Sequence, residues 1–395
     1  MQNYSRSQII SSFVVGIILF ILIQPYFVWN WPAQLKLLIQ AIPVILFIIN
    51  NDFKNDKNSI LLFALFLLLL LWTCLIQGYS IAFLLFNISF AIFPFVDKDY
   101  AYSTYSWFRK SLAVFLSISL IVWALVLSGV DVPYRIIEPL NTLKPYDYTQ
   151  YPFLVIANEL LSAFRFFGPF DEPGVMGTIC AIILYVEKYN LRDPFNIPLL
   201  IAGLCTFSMF FILATIIYLS LKVIKKPQYV FLIALSIITF YHFTKDNDVF
   251  QELIYDRLEF DSSSKSFSGD NRATDDFKAY YNSIKGTSTY FFGADQKTID
   301  RFSGNAGYRN AVIKYGFIFC FLYLIWFFYY AKVNRLRGRN MIIFIILMLT
   351  VLYQRPGFLD PVYIFLFSEY IKIHSLKKKD GIIYNSYATS DYQLL

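Results

Sequence analysis

The stretch SILLFALFLLLLLWTCLIQ, residues 59–77, contains no charged residue and no helix breaker. A helix rises 1.5 Å per residue, so about 20 apolar residues match the roughly 30 Å hydrocarbon core of a bilayer. Outward from this run the same pattern recurs. Candidate spans lie at 9–29, 33–50, 79–96, 111–130, 173–187, 194–207, 209–224, 228–243, 310–331, 341–354 and 357–372. The chain is 57% hydrophobic and 15% charged, whereas soluble domains carry about a quarter charged residues. An ordinary soluble domain is therefore excluded. Residues 195–221 are long for one helix and short for two, which predicts a broken or tightly turned hairpin. Residues 1–8 are short and polar, and the 9–27 run lacks a small-residue cleavage site, so no cleavable signal peptide is expected.

Charge placement orients these spans. With the N-terminus cytoplasmic, the inside segments hold Lys54 and Lys57, Lys98 to Lys110, Lys188 and Arg192, Lys222 to Lys226, Lys332 to Arg339, and Lys372 to Lys379. Every inside segment is then basic, as the positive-inside rule requires. The net charge of +7 thus reflects topology and does not point to a nucleic-acid partner. Both long polar segments fall outside, and each carries more acid than base. The first has six acids against three bases, the second eleven against eight. The sequence predicts an all-α polytopic integral membrane protein with about twelve transmembrane helices. Two long extracytoplasmic loops contain short helices. The divisions are 1–130 (helices 1–5), 131–172 (first outer loop), 173–243 (helices 6–9), 244–307 (second outer loop), 308–373 (helices 10–12) and 374–395 (cytoplasmic tail).

The most polar helix mouth reads RFFGPFDEPGVMG, residues 165–177. Ionisable residues at a membrane mouth face water, one another or a substrate. Phe153, Ile156, Ala157, Leu160, Leu161 and Phe164 recur at helical spacing, which predicts an interfacial helix delivering Arg165 to that mouth. Asp171 and Glu172 precede Pro173, a residue suited to a first helical turn. Glu172 reads equally as a helix-dipole partner or as a reactive carboxylate. The second loop carries Arg272, then FFGADQ at 291–296, and closes with GNAGYRNAVIKYG at 304–316. Arg309 opens the following span, and Lys314 lies deeper, where snorkelling accounts for it. Arg355 sits in the outer turn YQRPG. Guanidinium groups grip phosphate in a bidentate fork, so these arginines suit lipid phosphates or pyrophosphates. No HExxH, Walker loop or GxSxG is present, and the only histidines are His242 and His374.

On these residues the chain resembles the Wzy-type polysaccharide polymerases, members of the O-antigen polymerase and ligase-like superfamily. Arg165-x-x-Gly168 with Glu172-Pro173 is similar to the family's arginine–glycine–acid–proline signature before a span. Gly269 to Arg272 followed by FFGAD, Asn305 to Tyr308 with Tyr315-Gly316, and Gln354 to Pro356 resemble its later passages. The serine–arginine pair and loop histidine expected of ligases are missing; Ser208-Met209 stands instead.

The resemblance implies a GT-C-like, metal-independent glycosyltransferase in the bacterial cytoplasmic (inner) membrane, with both termini cytoplasmic and no cofactor. Its donor and acceptor would be undecaprenyl-pyrophosphate-linked oligosaccharide repeat units, for an O-antigen, lipopolysaccharide, capsule or exopolysaccharide. Membrane lipids, a chain-length regulator and a flippase are the implied partners. Arg165, Arg272, Arg309 and Arg355 would bind pyrophosphate, Asn305 and Tyr308 the substrate, and Glu172, Asp171 and Arg165 would be catalytic. The competing readings are a lipid-linked oligosaccharide flippase and an O-antigen ligase.

Overall fold

The computed structural model describes residues 6–50, 56–77, 92–138, 146–159, 162–223, 231, 235, 238–239, 241–256, 260–261, 266–267, 274–302, 307–355 and 360–375. Arg272 and Asn305 lie outside the described residues, as do most of the expected spans 79–96 and 228–243 and the tail after 375. The chain is mostly helical. Among the described residues, Lys57–Ile76 and Lys98–Leu127 are each long and apolar enough to cross a membrane. A bent pair formed by Tyr308–Tyr315 and Phe317–Val333 supplies a third such segment if counted as one.

The centre of the molecule is α5, Pro173–Val186, in which every residue except Val175 is buried. Its sequence PGVMGTICAIILYV is apolar all round, and such a helix is stable only with protein or lipid on every side. Three helices pack against it: α6 (Asn196–Cys205), α7 (Met209–Val223) and α14 (Pro361–His374). The expected hairpin is present, with α6 and α7 joined through Thr206, Phe207 and Ser208. Outside this core, α1 (Arg6–Leu22) lies along α4 (Lys98–Leu127). A Cβ on Gly16 would meet Trp107 Cβ at 2.7 Å and the Phe108 nitrogen at 2.9 Å, so the two backbones touch. Small residues at a helix contact permit that approach.

Polar contacts sort the segments to two ends. At one end Arg109 is 4% exposed and bonds Asp193 at 2.7 Å, Glu187 at 3.5 Å and Asn196 Oδ1 at 2.8 Å. Nearby, His374 Nε2 lies 3.0 Å from the Val186 carbonyl, Asn340 donates to the His374 carbonyl, and Lys98 donates to Ser375. At the other end Tyr26 N donates to the Pro169 carbonyl, Trp123 Nε1 to the Ala163 carbonyl, and Arg355 to Glu172. Both long polar segments meet the bundle at this second end.

The first loop differs from the sequence expectation. Residues 153–159 and 162–164 do not form the expected interfacial helix, and Leu160 and Leu161 lie outside the described residues. The stretch instead contributes to a three-stranded antiparallel sheet of β1 (Arg135–Ile137), β2 (Tyr148–Tyr151) and β3 (Leu154–Ala157), followed by a short 3-10 turn at Ser162–Phe164. A short apolar run fits both periodicities, and local chemistry decides between them. Pro152 presets the first turn position and Phe153 takes φ 62°, making a tight hairpin with Tyr151 opposite Leu154. Val155 and Ile156 favour the extended state. The strained Phe153 is held on three sides. Its N–H donates to Tyr26 Oη at 3.1 Å, its carbonyl accepts from Ser119 Oγ at 2.7 Å, and its ring meets Phe115 at 5.2 Å.

All four residues of β3 are buried. Gly168 and Phe153 sit level with Leu116 and Ser119 of α4, which places them roughly 12–17 Å below the end of that helix at 1.5 Å per residue. The loop is therefore sunk into the bundle. Irregular backbone at such depth is sustained by surrounding protein, and here Val155 N closes onto the Gly168 carbonyl at 3.0 Å.

The expected single span 310–331 is a second correction. It breaks at Gly316 into α11 (Tyr308–Tyr315) and α12 (Phe317–Val333), inclined by 107°. Arg309 and Lys314 accordingly belong to a short helix steeply inclined to α12, not to α12 itself. Gly316 has φ 86° and ψ 152°, a region essentially reserved for glycine. A Cβ there would meet the Phe291 carbonyl oxygen at 2.5 Å.

Two outcomes follow from these contacts. Gly316→Ala should lower the thermal midpoint of the detergent-solubilised protein well beyond Gly129→Ala. Gly129 also has positive φ but no atom within 4 Å of its would-be Cβ, so only backbone strain of about 1–3 kcal/mol applies there. Equal midpoints would contradict the packing account. Arg109→Ala strands two acids and should cost about 3–5 kcal/mol in a denaturation assay.

Candidate functional site

The site grows from the start of the buried helix α5. Glu172 is its N-cap residue by backbone position, yet its side chain makes no capping hydrogen bond. Its Oε2 instead accepts from Arg355 Nη1 at 2.6 Å. Arg355 ends α13 (Arg339–Gln354), and its side chain is 13% exposed. Burial works against its charge while Glu172, Tyr363 and Asp171 favour it, and the balance lies above the ordinary arginine value. Its Nε finds no acceptor among the described residues.

A second acid–proline helix start lies beside the first. Asp360 precedes Pro361 and caps α14 by accepting from the Val362 N–H at 2.9 Å. Tyr363, on the first turn, lies within electrostatic range of Asp360, Arg355 and Glu172. The two most enclosed helices thus begin together, and Arg355 sits between their starts. Tyr148, buried in β2, donates to the Asp171 carbonyl at 2.7 Å. Burial, reinforced by Asp171, Tyr146 and Glu172, raises its hydroxyl well above the usual tyrosine range, so it remains a donor. The sequence reading missed Asp360, Tyr363 and Tyr148. The repeated acid–Pro dipeptide was a visible signal for the first two; nothing local marked Tyr148.

Arg165 approaches the same helix from another side. Its Nε donates to the Thr206 carbonyl at 3.2 Å, and Phe166 N to the Cys205 carbonyl at 2.9 Å. These carbonyls end α6, where a cation is favoured by the helix dipole. Gly177 fits against this corner, since a Cβ there would meet Ser208 Cβ at 2.7 Å and Thr206 Oγ1 at 2.9 Å. Glu172 and Gly177 are five residues apart, about 7.5 Å along the axis. Arg165's anchor and the Arg355–Glu172 pair therefore flank the first turn and a half of α5.

Arg309 reaches the region through aromatic contacts. Its guanidinium lies 5.6 Å from the Tyr308 ring centroid, and Tyr308 stacks on Tyr353 at 5.4 Å, two residues before Arg355. Lys314 lies over Tyr315 in the same manner. Of the residues singled out from sequence, Glu172 and Arg355 are in direct contact. Asp171, Arg165, Tyr308 and Arg309 gather at the same end. Comparison with protein-family models, characterised proteins and solved structures returns no match.

Glu172→Gln should destabilise the protein by about 1.5–3 kcal/mol, because it leaves Arg355 without its charged acceptor. The double variant Glu172→Gln with Arg355→Met should recover part of that loss, as a thermal-unfolding double-mutant cycle would read. No loss in the single variant would show that the pair contributes nothing.

Proposed function

We propose that this protein is a membrane glycosyltransferase that joins lipid-pyrophosphate-linked oligosaccharide repeat units, a polymerase of the Wzy type. The observation that carries the reading is the Arg355–Glu172 pair at the paired starts of two enclosed helices, with Arg165 anchored beside the same helix. An acceptor hydroxyl oxygen attacks the anomeric carbon of the donor sugar. The bond from that carbon to the pyrophosphate oxygen breaks, and the lipid pyrophosphate leaves with the bonding pair. Arginines aimed at the developing charge stabilise the transition state. Arg165, Arg309 and Arg355 take that role, with Arg272 in the second loop.

Glu172 is the base in this scheme. A pyrophosphate entering beside Arg355 competes for its guanidinium, and the released carboxylate then accepts the hydroxyl proton. Asp171 adds negative charge next to it. Asn305 and Tyr308 contact the sugar. The reading carries with it a twelve-span topology with both termini cytoplasmic in a bacterial inner membrane; the gathering of the basic residues Arg109, Lys188, Lys222 and Arg339 at the end opposite the site favours that end as the cytoplasmic one. A chain-length regulator and a flippase would work with it.

Arg165→Ala should leave the protein inserted while abolishing long glycan chains, with single repeat units still reaching the surface. Normal chain length on a glycan ladder would sink the assignment. Accumulation of lipid-linked units on the inner face would instead indicate a flippase. Arg309→Lys should also shorten chains if the fork geometry matters.

A further inference from the structure

The end of the bundle opposite the candidate site gathers cations from separate segments. Lys222, in the last turn of α7, donates from Nζ to the Lys188 carbonyl at 3.4 Å and lies 5.8 Å from the Tyr218 ring centroid. Arg339 opens α13 and lies within electrostatic range of Tyr218 and of Tyr370 on α14. Lys188 follows the end of α5, and Tyr189 beside it stacks on Tyr218 at 4.7 Å. Three cations from three segments thus stand around the Tyr189–Tyr218 stack.

Local helix chemistry does not account for this group. Arg339 stands at a helix N-terminus, where the dipole disfavours a cation, and the first turn of α13 holds no acid. Among the described residues neither Lys222 nor Arg339 meets a carboxylate. Glu187, next to Lys188, lies 3.5 Å from Arg109. The turn into α13 adds the exposed Lys332, Arg335 and Arg337 and no acid. Like charges held together repel, and an anion from outside the chain relieves them.

The surface below the cations indicates which anion. Ile342, one turn along α13 from Arg339, is 55% exposed, and Leu349 on the same face is 47% exposed. Charge at the helix ends thus stands over bare apolar helix. That layering matches a phospholipid, with phosphate above and acyl chain below. A soluble polyanion or an acidic protein would use the cations and leave the apolar face uncovered.

We propose that Lys188, Lys222 and Arg339 hold the phosphate headgroup of an anionic phospholipid, with an acyl chain lying along Ile342 and Leu349. The lipid is a bound component of the membrane and ties the ends of α5, α7 and α13 together. The site needs a bilayer around the chain but no glycan chemistry, so it survives failure of the polymerase reading.

The full-length protein in mild detergent is titrated with phosphatidylglycerol or phosphatidylcholine of identical acyl chains, and bound lipid is counted by native mass spectrometry. Phosphatidylglycerol should bind about tenfold more tightly than phosphatidylcholine. Lys222→Gln combined with Arg339→Gln should remove most of that preference. Lys332→Gln combined with Arg335→Gln removes the same charge from the same end and should leave the preference standing. Equal binding of both lipids by the unaltered protein overturns the site, and so does equal loss of preference in the two double variants. Displacement of the bound lipid by glycerol 3-phosphate would mark a soluble-anion site and overturns it as well. The milder pair Arg339→Gln and Arg339→Lys gives a second reading if the double variant fails to fold. The first should weaken phosphatidylglycerol binding about threefold and the second should retain it; unchanged binding in Arg339→Gln refutes the assignment.

Discussion

The helix Pro173–Val186 has no face suited to water, and the surrounding structure is what that fact demands. It is enclosed by α6, α7 and α14, and its first turn must be entered by chain that is itself buried. Backbone groups taken out of water need partners. The approach 165–172 finds them one by one: Phe166 on Cys205, Phe170 on Phe167, and Gly168 accepting from Val155. The polar site is a by-product of that enclosure. Arg355, mostly enclosed at the end of its helix, finds its counter-charge in the half-exposed Glu172.

The sheet in the first loop serves the same constraint. Trp29, Tyr148, Val155, Ala157 and Phe167 form a small apolar cluster separate from the main core. It fixes Tyr148 under Asp171, while the hairpin tip rests on α4 and on Tyr26 in the turn after α1. Without this wedge the loop would hang above the bundle and Arg165 would have no fixed approach to Thr206.

Much of the helical framework was legible in the sequence, because apolar length reports directly on burial in lipid or protein. The hairpin at 196–223 and the sorting of both long segments to one end were also readable, from a length mismatch and from charge. Three things were not. The run 153–164 satisfies helical spacing, and only Pro152 with the β-branched pair after it betrays the hairpin. The break at Gly316 coincides with a change from the mixed segment YRNAVIKY to the apolar run after it, but composition alone does not reveal a bend. The Arg355–Glu172 contact joins residues far apart in sequence and leaves no local trace. Of the site, then, residue types and their end of the molecule were readable, while pairings were not.

Gly316 and Gly293 each occupy the space that the other's side chain would need. A Cβ on Gly293 would meet the Tyr315 carbonyl carbon at 3.1 Å, and one on Gly316 the Gly293 nitrogen at 2.7 Å. Ala294 N closes the junction on the Ile313 carbonyl at 2.8 Å. The segment around Phe291–Ala294 and the bend at Gly316 are thereby packed as one junction, so a side chain added at either glycine would displace the other strand of backbone and, with it, the short helix that carries Arg309.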